Sequence, residues 1–367
     1  MIAGNHVRSC IALTGLGVLL VACAAPDRAP SQSAANPIVR ASIGAAALSW
    51  VEFADGRTAV SDDAGLSWRA LRAPQPPASG ASVALSGNTL TVVALSGSTL
   101  TVQRSGDDGV SWKTDAHELS QPADSANVAA SPDGRTVAVA ASLPGAAGAT
   151  DGHAQLLVGP ANGDLAERAA PGAADIAWSG HRLLMPGGPM RSRLYLSADE
   201  GQTWAAQPVA GPVAPDHDVP ADAPVFGQPV STGAGAVVPV TSYAGLQAQA
   251  TLYRTADGAR FDQLGELPLG DEVGPGVGVT ASRYGDDGVI VADPFSTILH
   301  VFTDSSETSV AGAGLPGPVD SLTFQNATDG LAQVTVRGCT KGKDDCIEEL
   351  RVYRTSDGGA SWERSTP

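Results

Sequence analysis

From residue 37 onward the chain reads as short apolar-rich runs, each cut off by Gly, Asp or Pro. Residues 89–94 (TLTVVA), 99–103 (TLTVQ), 136–141 (TVAVAA) and 289–292 (VIVA) are such runs. Val, Ile and Thr carry two heavy atoms on Cβ, which suits a pleated strand surface better than a helix. Turn formers at both ends complete the strand signature. The final stretch shows four such runs, at 321–324, 330–336, 349–354 and 361–364, which predicts a unit of four antiparallel strands. After residue 23 no segment of useful length has apolar residues at helical spacing, so the expectation is an all-β body.

A second pattern is superimposed on the first. The octapeptide Ser61-Asp62-Asp63-Ala64-Gly65-Leu66-Ser67-Trp68 returns as Ser105-Gly106-Asp107-Asp108-Gly109-Val110-Ser111-Trp112, as Ser197-Ala198-Asp199-Glu200-Gly201-Gln202-Thr203-Trp204 and as Thr355-Ser356-Asp357-Gly358-Gly359-Ala360-Ser361-Trp362. A shorter copy, Thr255-Ala256-Asp257-Gly258-Ala259-Arg260-Phe261, ends in Phe. These residue types suit a hairpin turn between two outer strands. Asp accepts hydrogen bonds from amides inside the turn, Gly takes a positive φ, and Ser or Thr caps from its own side. The aromatic residue then begins the next strand, where it can bury on the order of 150–250 Å² against the neighbouring repeat. Each turn is locally complete, so Asp63, Asp107, Asp199, Asp257 and Asp357 are expected to serve the scaffold rather than calcium binding or acid catalysis.

Spacing sets the number of repeats. The interval is 44 residues from Trp68 to Trp112 and 57 from Trp204 to Phe261, but 92 from Trp112 to Trp204 and 101 from Phe261 to Trp362. Two intervals are double length. Units that have lost the octapeptide are therefore expected near 156–169 and 297–310, which makes seven units with six or eight as alternatives. Residues 37–367 would then average about 47 per unit, the length of a propeller blade.

The octapeptide resembles the Asp-box of the bacterial neuraminidase repeat, found in sialidases, in photosystem II assembly-factor propellers and in sortilin-type receptor domains. The resemblance implies a β-propeller, seven blades of four antiparallel strands with Asp-box turns, over residues 37–367. It does not transfer catalysis, because the boxes are scaffold lying away from a sialidase active site. Sialidases of this type also carry an Arg-Ile-Pro motif, an arginine triad and a Tyr–Glu pair. The first is absent, and Arg40 in Pro37-Ile38-Val39-Arg40 is its only positional echo.

The N-terminal segment differs from the body. Arg8 lies in a short polar start, followed by an apolar run at 11–22 and the box Leu20-Val21-Ala22-Cys23. This resembles a bacterial lipoprotein signal: residues 1–22 would be removed and Cys23 would carry the lipid at the extracytoplasmic face of the cell membrane. Residues 24–36 have the composition of a flexible tether reaching about 20 Å. The folded body keeps two cysteines, Cys339 and Cys346, and an even pair in an exported chain is expected to form a disulfide.

Charge and motifs narrow the function. The formal net charge is −16, which disfavours nucleic acid as a partner. No zinc-protease, hydrolase-elbow or phosphate-loop motif occurs, so neither a metal nor an organic cofactor is expected. Propeller ligands usually meet the face opposite the box turns. The longest interblade segment, 207–228, carries Asp216, His217, Asp218 and Asp222, and the next carries Glu266, Asp271 and Glu272. These define a candidate binding face together with the loop between Cys339 and Cys346. The expected function is a membrane-anchored, non-enzymatic binding or assembly module for a protein, glycan or cell-wall partner. The alternative is a sialidase-like glycoside hydrolase with a diverged active site.

Overall fold

Antiparallel pairing, mostly between strands adjacent in sequence, builds the described chain. The computed structural model describes residues 37–43, 49–71, 79–86, 89–107, 109–144, 153–172, 174–209, 223–244, 247–271, 278–304, 306–339 and 346–366. All belong to the unit Asn36–Pro367. The signal and tether expected at 1–36 lie outside the described residues.

Seven blades follow in order. Blade 1 comprises β1 (Ile38–Ile43), β2 (Ser49–Phe53), β3 (Thr58–Ser61) and β4 (Arg69–Ala70). Blade 2 holds β5 (Ser79–Ser86), β6 (Thr89–Ser96), β7 (Thr99–Ser105) and β8 (Lys113–Glu118). Blade 3 holds β9 (Ser125–Ala130), β10 (Thr136–Leu143), β11 (His153–Pro160) and β12 (Ala166–Arg168). Blade 4 holds β13 (Ala177–Ser179), β14 (Arg182–Gly187), β15 (Arg193–Ser197) and β16 (Ala205–Gln207). In blade 5 the inner position is divided between β17 (Val225–Phe226) and β18 (Val230–Thr232), both paired with β19 (Gly235–Ala244), followed by β20 (Gln247–Thr255) and β21 (Asp262–Asp271). Blade 6 holds β22 (Thr280–Tyr284), β23 (Gly288–Ala292), β24 (Leu299–Phe302) and β25 (Glu307–Val310). Blade 7 holds β26 (Ser321–Phe324), β27 (Gly330–Cys339), β28 (Cys346–Thr355) and β29 (Glu363–Arg364). Blades 1 and 7 form one continuous sheet, because Ile38 at the start of β1 also opposes Leu350 of β28.

The inner strands touch in a closed cycle: β1 to β5, β9, β13, β18, β22, β26 and back to β1. Side-chain hydrogen bonds stitch several of these contacts. Ser82 Oγ accepts from the Val128 amide, Ser231 Oγ from that of Trp178, and Ser282 Oγ from that of Phe324, each across a blade boundary. Seven apolar clusters fill the seven boundaries between neighbours. The last of them joins Val51 and Phe53 of blade 1 to Leu331 and Val352 of blade 7. The body is therefore an all-β, seven-bladed propeller, as the spacing predicts. The two units without an octapeptide are blades 3 and 6, at the expected positions. Blade 5 departs from expectation in having five strands. The only described helix is a 3₁₀ turn at Pro189–Arg191, and no described helix is long and apolar enough to cross a membrane.

Antiparallel order gives each blade two different ends. Turns from first to second and from third to fourth strand lie at one end, hereafter the turn face. Turns from second to third strand and the interblade connections lie at the other, the loop face. The octapeptides all occupy the third-to-fourth turn. In the first, Ser61 Oγ accepts the Gly65 amide at 2.8 Å and donates to Asp63 Oδ1 at 2.8 Å, while Asp63 accepts the Ser67 amide and hydroxyl at 2.9 and 2.5 Å. The same pattern recurs at Ser105, Ser197 and Thr355. Gly65, Gly109, Gly201 and Gly359 take φ between 76° and 92°, which other residues reach only with strain. In the short copy Gly258 takes this place one residue earlier, its amide bonded to Thr255 Oγ1, and Asp257 accepts from Ala259 and Arg260.

The aromatic residues pack against the preceding blade. Trp68 joins the cluster shared with blade 7, Trp112 that with blade 1, Trp204 that with blade 3, Phe261 that with blade 4 and Trp362 that with blade 6. Burial is uneven from one repeat to the next. Trp362 is 6% exposed, whereas Trp68, Trp112, Trp204 and Phe261 are half-buried because each sits at the rim of its interface.

Candidate functional site on the loop face

The inner strands line the centre of the ring, and their composition decides what chemistry the centre can do. They read IVRASI (β1), SGASVALS (β5), SANVAA (β9), AWS (β13), VF and VST (β17, β18), TASRY (β22) and SLTF (β26). None carries Asp or Glu. Small and hydroxyl side chains predominate, as the close approach of neighbouring inner strands requires.

At the loop end of this lining lies a polar cluster. Asn127 of β9 donates from Nδ2 to Asp175 Oδ1 at 3.2 Å, and Arg191 Nη2 stands 2.5 Å from Asp175 Oδ2. Asp175 belongs to the connection between blades 3 and 4, and Arg191 to the β14–β15 turn. That turn is strained, since Met190 (φ 52°) and Arg191 (φ 59°) both occupy the left-handed region, at a cost of roughly 1–2 kcal/mol each. The surrounding chain enforces it. Arg191 donates its amide to Gly188 O, and Gly187 and Gly172 meet backbone to backbone with no room for a side chain on either.

Blade 6 contributes a different feature. Its β23–β24 turn, 293–298, is closed by its own groups: Asp293 Oδ1 accepts the Phe295 amide at 2.8 Å, Asp293 Oδ2 accepts the Ser296 hydroxyl at 2.8 Å, and the Asp293 amide donates to Ile298 O at 3.0 Å. Phe295 and Ile298 are held outward, 56% and 39% exposed.

The residues singled out from sequence fall in three groups. Asp216, His217, Asp218, Asp222 and Glu272 lie outside the described residues, as does the loop 340–345. Glu266 lies within β21 opposite Thr251, on the outer strand of the blade rather than in a loop, and accepts hydrogen bonds from the side chains of Gln249 and Gln263. Asp271 ends β21 opposite Gln247, at the loop face. Cys339 and Cys346 are register partners at the loop-face end of the β27–β28 hairpin. Among the described residues no group of His, Cys, Asp and Glu could hold a metal ion. Arg191, Asp175 and the 293–298 turn were not legible in the sequence. Arg191 follows Met190 in an ordinary-looking stretch, and only the fold brings Asp175 and Asn127 to it.

The fold, with no carboxylate on any described inner strand, defines the class, a seven-bladed propeller. Neither a protein-family model nor a curated protein sequence matches the chain. Among solved structures it is similar to a prolyl endopeptidase, one of two studied for the role of inter-domain dynamics in catalysis and specificity, at 12% identity over 90% of this chain and 49% of that one, with a TM-score of 0.55. The chain thus spans about half the length of that protein. It is also similar to YCF48 from Cyanidioschyzon merolae, at 15% identity over 79% of this chain and 86% of that one (TM-score 0.47), and to the β-propeller domain of Cps50 (Swd1) from Myceliophteria thermophila, at 11% identity over 86% and 96% (TM-score 0.48). Likeness at these identities concerns the fold alone.

Proposed function

We propose that this chain is an Asp-box propeller lipoprotein, anchored through Cys23 at the extracytoplasmic face of the cell membrane, and that it is a binding or assembly module rather than a hydrolase. The observation that carries the second half is the lining of the ring. Glycoside hydrolysis uses two carboxyl groups about 5–10 Å apart around the scissile bond, and no described inner strand supplies even one. Asp175, at the mouth, is engaged by Arg191 and Asn127. The octapeptide turns support the Asp-box reading through their shared hydrogen-bond pattern, and the register pairing of Cys339 with Cys346 supports a disulfide closing the tallest hairpin. The partner is a protein, a glycan or a cell-wall component, met by the loop face, because exposed loops carry recognition while the scaffold holds them still.

A paired assay tests this. Pull-down from crosslinked membranes compares wild type with a variant carrying Asp216→Ala, His217→Ala and Asp218→Ala, and the purified protein is assayed for release of a fluorescent sialoside. Capture is expected to weaken in the variant with little change in melting temperature, and wild type is expected to release no sialoside. Robust turnover would overturn the binding-module reading, and undiminished capture would move the partner site to another loop.

A further inference from the structure

The residue immediately before each octapeptide tracks the blade that follows. In blade 1 it is Val60, buried in the cluster shared with blade 2, and in blade 4 it is Leu196, packed against the cluster shared with blade 5. Both of those following blades keep the octapeptide, in full or shortened form. Gly258 of the shortened copy rests on Leu196, whose Cδ1 would stand 2.6 Å from a Cβ added there. Blade 7 has Arg354, which donates to Glu363 of its own outer strand. In blades 2 and 5 the residue is Arg104 and Arg254. The blades that come next, 3 and 6, are the two that lost the octapeptide.

Both arginines reach into that next blade. Arg104 is 4% exposed and donates from Nη1 to the carbonyls of Pro160 and Gly163, at the third-to-fourth turn of blade 3, while its Nη2 meets Asp115 of β8. Lys113 of β8 donates to Asp164 Oδ1 in the same turn at 2.8 Å. Arg254 donates from Nη1 to Asp304 Oδ1 in the third-to-fourth turn of blade 6. Turn aspartates thus differ in their partners. Asp107 and Asp199 accept from hydroxyls and amides of their own turn, whereas Asp164 and Asp304 accept from the blade before. Within themselves the two turns are closed through the backbone, Gly163 donating to Pro160 O at 3.0 Å and Thr303 to Ser306 O at 2.9 Å.

We propose that Arg104 and Arg254 are clamps between blades that replace the missing octapeptide, holding the third-to-fourth turns of blades 3 and 6 by charge. The octapeptide closes its turn with bonds that span four residues or fewer and need no neighbour. A turn without it keeps its place through the grip of the preceding blade. That grip has a buried and an exposed part. Arg104 lies in the seam, where salt screens it little. Lys113 and Asp164 are 48% and 93% exposed, and Arg254 and Asp304 are 27% and 66% exposed. These pairs weaken as the screening length shrinks from about 10 Å at 0.1 M salt to about 3 Å at 1 M. Raising the ionic strength therefore loosens the ring first at two joints, between blades 2 and 3 and between blades 5 and 6.

Hydrogen exchange of the full protein, read by mass spectrometry in peptides spanning the third-to-fourth turns, tests this at about 0.1 M and about 1 M sodium chloride. Exchange in the turns of blades 3 and 6 is expected to quicken roughly two- to fivefold in the higher salt, as for loss of an exposed ion pair. Exchange in the octapeptide turns of blades 1, 2, 4 and 7 is expected to stay level. Arg254→Met should quicken exchange in the blade 6 turn at low salt and abolish its response to high salt, while the copy in blade 5 that begins at the next residue keeps its rate. Arg104→Lys keeps the charge but loses the fork that serves two carbonyls and Asp115 together, so it should quicken exchange in the blade 3 turn and not in the blade 2 turn. A salt response shared equally by the octapeptide turns, or a blade 6 turn as protected in Arg254→Met as in wild type, would overturn the proposal. So would an Arg104→Lys protein whose blade 3 turn exchanges at the wild-type rate.

Discussion

Ser197 is fully buried, and its Oγ accepts the Gly201 amide at 2.7 Å and the Asp199 amide at 3.4 Å while donating to the Asp199 carboxylate. The equivalent Ser61, Ser105, Thr255 and Thr355 are buried too. Removing such a hydroxyl leaves a buried amide without a partner, so Ser197→Ala should destabilise the fold by about 1–3 kcal/mol in denaturant melts. The carboxylates beside these hydroxyls are held low in pKa. For Asp107 the hydroxyl of Ser111 has the largest effect, then the Ser111 amide and the Ser105 hydroxyl, and together they bring it to about 2. Asp199 is brought to about 2 by the hydroxyl and amide of Thr203, and Asp357 is lowered by those of Ser361. A carboxylate lowered on folding binds protons less readily than in the unfolded chain. Its contribution is complete above the ordinary value of 3.8 and lost as pH falls toward about 2. Melting temperature should therefore drop across that window, and Asp107→Asn with Asp199→Asn should flatten the drop. A wild-type melting temperature unchanged between pH 4 and pH 2 would show that these bonds do not persist in solution.

At the scale of one blade, the octapeptide aromatics differ in depth. Trp362 is buried among Phe324, Leu299 and Ile290 and meets Phe324 edge to face, with centroids 6.0 Å apart. Trp362→Ala should cost about 3–5 kcal/mol. Trp112 lies at the rim, with Nε1 bonded to the Gly109 carbonyl of its own turn, so Trp112→Ala should cost distinctly less. Equal losses in parallel thermal melts would contradict the difference in burial. In blade 7 the hairpin of β27 and β28 brings Cys339 and Cys346 into register. A disulfide there should appear as a mass increase on reduction and alkylation, and Cys339→Ser should lower stability by about 2–3 kcal/mol, the value for closing so short a loop. Recovery of two free thiols from the native protein would exclude the bond. The strands of blades 2, 3 and 7 were readable from alternation and β-branched runs. The division of the inner strand in blade 5 was not, because β17 and β18 are too short to leave a pattern.

At the scale of the molecule, closure depends on the first and last blades finding each other. Ile38 opposes Leu350, Trp68 Nε1 donates to Ser365 Oγ at 3.0 Å, and Leu331 is fully buried against Val51, Phe53 and Ala59. Leu331→Ala empties part of that seam and should cost about 2–5 kcal/mol. Hydrogen exchange should rise first in blades 1 and 7, the only neighbours joined across the full length of the chain; a uniform rise would argue that the seam is no weaker than the other boundaries. What the sequence by itself determined is what recurs locally: the turn chemistry, the strand pattern, the number of blades and the positions of the two that lost the octapeptide. The turn chemistry and strand pattern are set by residues within one hairpin, where the turn hydrogen bonds span four residues or fewer, and the blade count follows from the intervals between repeats. The tertiary structure alone decided how deeply each aromatic sits, that Asn127, Asp175 and Arg191 converge, and that Phe295 and Ile298 share a face with the start of β1. Those features arise from contacts between blades, and the 297 positions separating Trp68 from Ser365 leave no trace in local pattern.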